Sequence, residues 1–260
     1  GDSGLEAARK GNLVDLQTLV AAGWDPHRAT DKHGSTALDW ASGEGHLSVC
    51  QYLVDKCGLM PAIPPVTSTA RKKDKSGRTA IHWAARNGQL EVMQWLVKTV
   101  GVPVNLPTND GTTAFHLAIW QGQLTLARWL AQEGRCDVHS TNRYGCNAVQ
   151  WCAGAGNLDA CKYLFSLGVE MGLRNRNGHS ALHKAAFTGH LPVCKWLLET
   201  GKLGHDHMCE DSEGNTPAAM ASLEGFHELA DWLEAAEAQE KQRCKVITAQ
   251  APICDVTEID

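Results

Sequence analysis

The sequence predicts an all-α solenoid of about seven stacked helix-turn-helix units. Three observations carry that prediction. Gly34, Gly77, Gly111, Gly145, Gly178 and Gly214 are separated by 43, 34, 34, 33 and 36 residues. A second series, Gly45, Gly88, Gly122, Gly156, Gly189 and Gly225, follows each of them by 11 residues, and Gly11 starts this series one period early. Two places after each first-series glycine stands a potential helix cap, Thr36, Thr79, Thr113, Asn147, Ser180 or Thr216, then alanine in all copies but the last, which has Pro217. A fixed period of this length signals a repeat architecture.

Within one period the order of signals gives the elements. The hydroxyl or amide side chain accepts a backbone N–H and opens a short first helix. The second-series glycine suits a left-handed helix end. Apolar residues then resume at helical steps, as in Leu90, Met93, Leu96 and Val97, and give a second helix. No β-rich run of strand length competes.

Taken along the chain, unit one (1–28) has only its helix pair; Asp2 holds the capping place and no turn precedes it. Later units fall near 31–60, 74–107, 108–140, 141–173, 174–207 and 210–234, opening near Asp31, Asp74, Thr108, Asn142, Asn175 and Asp211. The 43-residue spacing exposes a proline-rich, basic insertion over 61–73, expected as an extended loop. Residues 235–260 leave the repeat register and are expected to form a frayed tail or a strap for a partner. The chain opens Gly1-Asp2-Ser3-Gly4 without methionine, so an upstream piece is expected to have been cleaved, trimmed or left out.

Thr79-Ala80-Ile81-His82-Trp83-Ala84-Ala85 and Ser180-Ala181-Leu182-His183-Lys184-Ala185-Ala186 resemble the T-P-L-H-x-A-A core of the ankyrin repeat. Asp74-Lys75-Ser76-Gly77 and Asn175-Arg176-Asn177-Gly178 resemble its β-finger tips. The resemblance covers residues 1 to about 234. Departures are few: proline follows threonine only at Pro217, and Asp39, Gln150 and Ala219 replace the signature histidine, each expected to weaken one local hydrogen bond.

Composition limits the function. With 43% hydrophobic and 20% charged residues the chain is neither disordered nor a membrane protein, and no transmembrane segment is expected. A net charge of −5 argues against bulk nucleic-acid binding. Ten cysteines without a CxxC pair point to an intracellular reducing compartment, cytoplasmic first, with organelle import open if a targeting peptide was removed.

Most conspicuous residues read as packing. Tyr52, Trp95, Trp129, Tyr163, Trp196 and Trp232 recur 18 residues after each finger glycine and are expected along the convex side. Trp40, Trp83 and Trp151 read as buried first-helix residues. Cys50, Cys152, Cys161 and Cys194 read as small apolar filler. His82, His116 and His183 lie a repeat apart, too far to share one ion, and the resemblance implies hydrogen bonds within their own turns. His205-Asp206-His207-Met208-Cys209 has zinc-like ligand types but falls in a lengthened loop, so neither metal nor cofactor is expected.

The resemblance assigns partner contacts to the finger residues and the ends of the first helices, on the concave face. By that rule the candidates are Trp120, Gln121, Arg143, Tyr144, Arg176, Phe187, Arg78 and Arg86. Trp120, Tyr144 and Phe187 do not repeat, so packing alone does not explain them, and aromatic residues with arginine are the composition of interface hot spots. A second candidate is the basic run Arg71, Lys72, Lys73 and Lys75, suited to an acidic peptide or RNA.

The leading expectation is therefore a non-catalytic scaffold that binds another protein. One alternative is a structural subunit of a ribonucleoprotein or membrane-associated assembly whose basic loop touches RNA. The other is the regulatory region of a larger enzyme. No catalytic motif or paired carboxylate occurs, and no small-molecule substrate is expected.

Overall fold

The computed structural model describes residues 2–61 and 76–250, with side chains as far as Arg243. Among these residues lie fourteen α-helices, one 3-10 turn at His205–His207, and no strand. The first helices of successive units are α1 (Ser3–Lys10), α3 (Ala37–Glu44), α5 (Ala80–Asn87), α7 (Ala114–Trp120), α9 (Ala148–Gly154), α11 (Ala181–Phe187) and α13 (Pro217–Leu223). Their partners are α2 (Leu13–Ala21), α4 (Leu47–Asp55), α6 (Leu90–Lys98), α8 (Leu124–Gln132), α10 (Leu158–Ser166), α12 (Leu191–Glu199) and α14 (His227–Gln250). Each first helix packs on its partner and on the next first helix, giving an inner row backed by an outer one. Such helices are marginal alone, and neighbour packing supplies their stability.

Alanines let the inner row approach closely. Ala84, Ala85, Ala118, Ala153 and Ala186 are fully buried, beside Leu96, Leu130, Leu164 and Leu197 from the outer helices. The outer aromatic row is buried at Trp95, Trp129 and Tyr163 and half-buried at Tyr52, Trp196 and Trp232. Lys98 lies 5.4 Å over Trp129, and Arg128 lies 4.6 Å over Tyr163, so cationic stems cover this row. The four filler cysteines are fully buried; burial pushes Cys50 up to about 11 and Cys194 up to about 12.

The histidines tie turns together. In units three, four and six the backbone N–H of Thr79, Thr113 and Ser180 donates to Nδ1 of His82, His116 and His183 at 3.1, 3.2 and 3.1 Å. With Nδ1 accepting, Nε2 carries the proton. At His82 and His116 it reaches the following loop, donating to the carbonyls of Leu106 and Ser140 at 2.8 and 3.1 Å.

Asp39 corrects an expectation of weakening: its carboxylate accepts from the backbone N–H and hydroxyl of Thr36, both at 2.9 Å, completing a capping box. Gln150 keeps the longer link instead, donating to the carbonyls of Leu173 and His179 at 2.8 and 3.0 Å.

The fingers of units two, five, six and seven are side-chain-closed turns. Asn142 Oδ1 accepts from the N–H of Tyr144 and of Cys146, both at 3.0 Å, and Asn175 and Asp211 repeat the arrangement. Consecutive fingers are then joined by single backbone bonds. Asn109 N–H donates to Ser76 at 2.9 Å, Arg143 to Asp110 at 2.7 Å, Arg176 to Tyr144 at 2.9 Å and Ser212 to Asn177 at 3.0 Å.

Helix α14 runs for 24 residues without a break at 234 and passes beside the 3-10 turn. No helix among the described residues is long and apolar enough to cross a membrane.

Candidate functional site

The finger and first-helix face carries a cleft of about 360 Å³ built by units four, five and six. Trp120 ends α7, Tyr144 stands at the finger tip, Trp151 lies one turn into α9, and Lys184 comes from α11. Trp120 and Trp151 meet edge to face with centroids 5.5 Å apart. Gly154 leaves room beneath: a Cβ there would meet only Lys184, at 3.7 Å and beyond.

Polar groups ring this aromatic wall. Asp110 lines the cleft; burial raises its pKa, but hydrogen bonds from the Thr108 hydroxyl and the Thr112 N–H outweigh that and hold it lowered. Gln150 and Trp151 also line it, and Gln150 Oε1 and Trp151 Nε1 have no hydrogen-bond partner among the described residues.

A second cleft of about 360 Å³ lies between units two and three, lined by Trp40, Glu44, Trp83 and Arg86. The Arg78 and Arg86 guanidiniums lie 5.4 and 5.5 Å over the Trp83 ring.

These positions correct one sequence expectation. Trp40, Trp83 and Trp151 are half-buried and line clefts, where the sequence placed them in the interior. They share the place four residues after the helix cap, and that common offset was the available signal.

Among the expected partner-binding residues, Trp120 and Tyr144 converge on the first cleft, and Arg78 and Arg86 converge on Trp83. Arg143 and Arg176 are exposed in adjacent fingers, outside the first cleft's lining. Gln121 and Phe187 are exposed at helix ends and also stand outside it, Phe187 at 46% exposure. Arg71, Lys72, Lys73 and Lys75 lie outside the described residues.

The histidine-rich loop is partly satisfied locally, although His205 Nδ1 is buried with no hydrogen-bond partner among the described residues. Gly204 N–H donates to His207 Nδ1 at 3.1 Å, and Arg174 donates to the Glu210 carbonyl. Among the described residues no group of three or more His, Cys, Asp or Glu could hold a metal ion.

Stacked helix pairs, a finger ladder and shallow clefts spread along one face define a helical-repeat protein of the kind that presents a surface rather than an enclosed chamber. Family models described as ankyrin repeats match residues 5–54, 66–142 and 147–243. The chain belongs to the ankyrin-repeat family. No curated protein matches it. Ankyrin repeats are generally protein–protein interaction modules and typically non-catalytic.

Proposed function

We propose that this chain is a non-catalytic scaffold that grips another protein on its finger and first-helix face, centred on Trp120, Tyr144 and Trp151. One observation carries the reading: three aromatic rings from two adjacent repeats share one open cleft, with Tyr144 at 59% exposure. An aromatic side chain left this exposed at a fixed finger tip loses little conformational freedom on binding and gains buried area.

The test is affinity purification with the full chain, a Trp120→Ala/Tyr144→Ser variant and an outer-face variant, Lys162→Ala. A partner lost with the first variant and kept with the second supports the proposal. A partner kept by both, or lost equally from both, overturns it.

A further inference from the structure

Among the described residues, the fingers and first helices of units three to six carry five cations and one carboxylate, Asp110. Elsewhere some lysines pair with a carboxylate, as Lys10, Lys98, Lys162 and Lys241 do, and others, such as Lys56, Lys195 and Lys202, form no ion pair among the described residues. Arg78, Arg86, Arg143, Arg176 and Lys184 make no ion pair among the described residues. All of them belong to the fingers or first helices of units three, five and six.

The chain as a whole carries −5. A local excess of unpaired positive charge on a net acidic protein selects an anionic partner and repels a basic one. Asp110 is the carboxylate in the first cleft, and Thr108 and Thr112 already occupy it.

Two of these arginines are also pre-positioned. The guanidiniums of Arg78 and Arg86 rest over Trp83, an arrangement that holds the side chain while leaving its donors free for carboxylate oxygens. The finger ladder fixes the spacing between units, because one backbone N–H in each finger of units four to seven donates to a carbonyl of the finger before it.

We infer that the occupant of this face is an acidic linear segment of a partner protein, with carboxylates facing Arg78/Arg86 and Arg143/Arg176/Lys184 and one bulky apolar side chain in the Trp120–Tyr144–Trp151 cleft. The inference rests on the proposed scaffold function and adds the chemistry of its partner. Neighbouring helices pack about 10 Å apart and an extended peptide advances about 3.3 Å per residue, so roughly three peptide residues cross each repeat. From unit three to unit six this makes a segment of about ten residues with acidic side chains separated by an apolar anchor.

The experiment is selection of random 12-residue peptides displayed on phage against the full chain, against Arg143→Glu/Arg176→Glu/Lys184→Glu, and against Trp120→Ala. Circular dichroism checks that each variant keeps its helices, and Arg143→Gln/Arg176→Gln serves as a milder variant. The expected result is enrichment of Asp and Glu flanking a large apolar residue. Synthetic versions of these peptides should bind less tightly by about fivefold per reversed charge and weaken with added salt.

Neutral or basic peptides that still require Trp120 would overturn the acidic assignment while leaving the scaffold face intact. Peptides insensitive to every variant, or no selected peptides at all, would overturn both. A single-stranded RNA 12-mer that displaces the selected peptides and binds more tightly would replace the protein segment with nucleic acid.

Discussion

Trp120 and Trp151 stand in different repeats, 31 residues apart, yet their rings meet at 5.5 Å and 60°. The contact arises because the end of one first helix lies against the body of the next, so a single ring pair couples two units of the stack. Edge-to-face pairs contribute about 0.5–1.5 kcal/mol beyond buried area. Trp151→Ala and Trp120→Ala should each destabilise the chain in urea unfolding, and the double variant should cost less than the sum by about 1 kcal/mol. Strict additivity would show that the rings touch without coupling.

Gly111 sits at φ 82°, and a Cβ there would meet the Arg143 backbone nitrogen at 3.2 Å. That nitrogen belongs to the finger ladder. Gly111→Ala therefore adds left-handed strain to a collision with backbone, and should lower unfolding free energy by about 1–3 kcal/mol. Hydrogen exchange should rise at the Arg143 amide. An unchanged Arg143 amide would mean that the fingers do not depend on one another.

Burial lowers both His116 and His183 to about 4, with the charges of His179 and Arg174 adding to the effect at His183. The unfolded chain binds these protons near the ordinary value of about 6.5, whereas the folded one does not. Stability from the neutral rings is thus complete above about pH 6.5 and declines as pH falls towards 4. At pH 4.5 the loss should be roughly 2 kcal/mol per histidine. His116→Gln should flatten this slope, since Gln150 already fills the equivalent place in the next unit. A midpoint in denaturant independent of pH across this window would contradict the buried neutral state.

Thiol accessibility should follow burial. Cys50 and Cys194 are fully buried, with thiols pushed up to about 11 and 12, so neither presents thiolate at neutral pH. Cys152 is also fully buried and its thiol is raised well above the ordinary value. Cys146 is half-buried in the lining of the aromatic cleft. Iodoacetamide followed by peptide mass spectrometry should label Cys146 well before these three in the native protein. Equal labelling at all four would mean that the stack opens on the timescale of the reaction.

Much of the architecture was legible because a solenoid's contacts are local. Thr113, His116 and Gly122 do the same work in their unit as Thr79, His82 and Gly88 do in the one before, so repetition exposes their roles. Asp39 was misjudged because a carboxylate can close a capping box as well as an imidazole can. Trp151 was misjudged for a different reason. Helix α9 has only 7 residues, about two turns, and its flanking alanines are buried, so periodicity left the orientation of one more aromatic undecided.

By itself, then, the sequence determined the period, the helix pairs, the caps and the filler cysteines, because each depends on residues within a single unit. Only the tertiary structure decided that Trp151 joins Trp120 and Tyr144 in one cleft, and that Arg78 and Arg86 meet over Trp83. Those meetings depend on how each short helix is rotated when it packs against its neighbour, and that rotation is fixed by side-chain shape across the unit boundary.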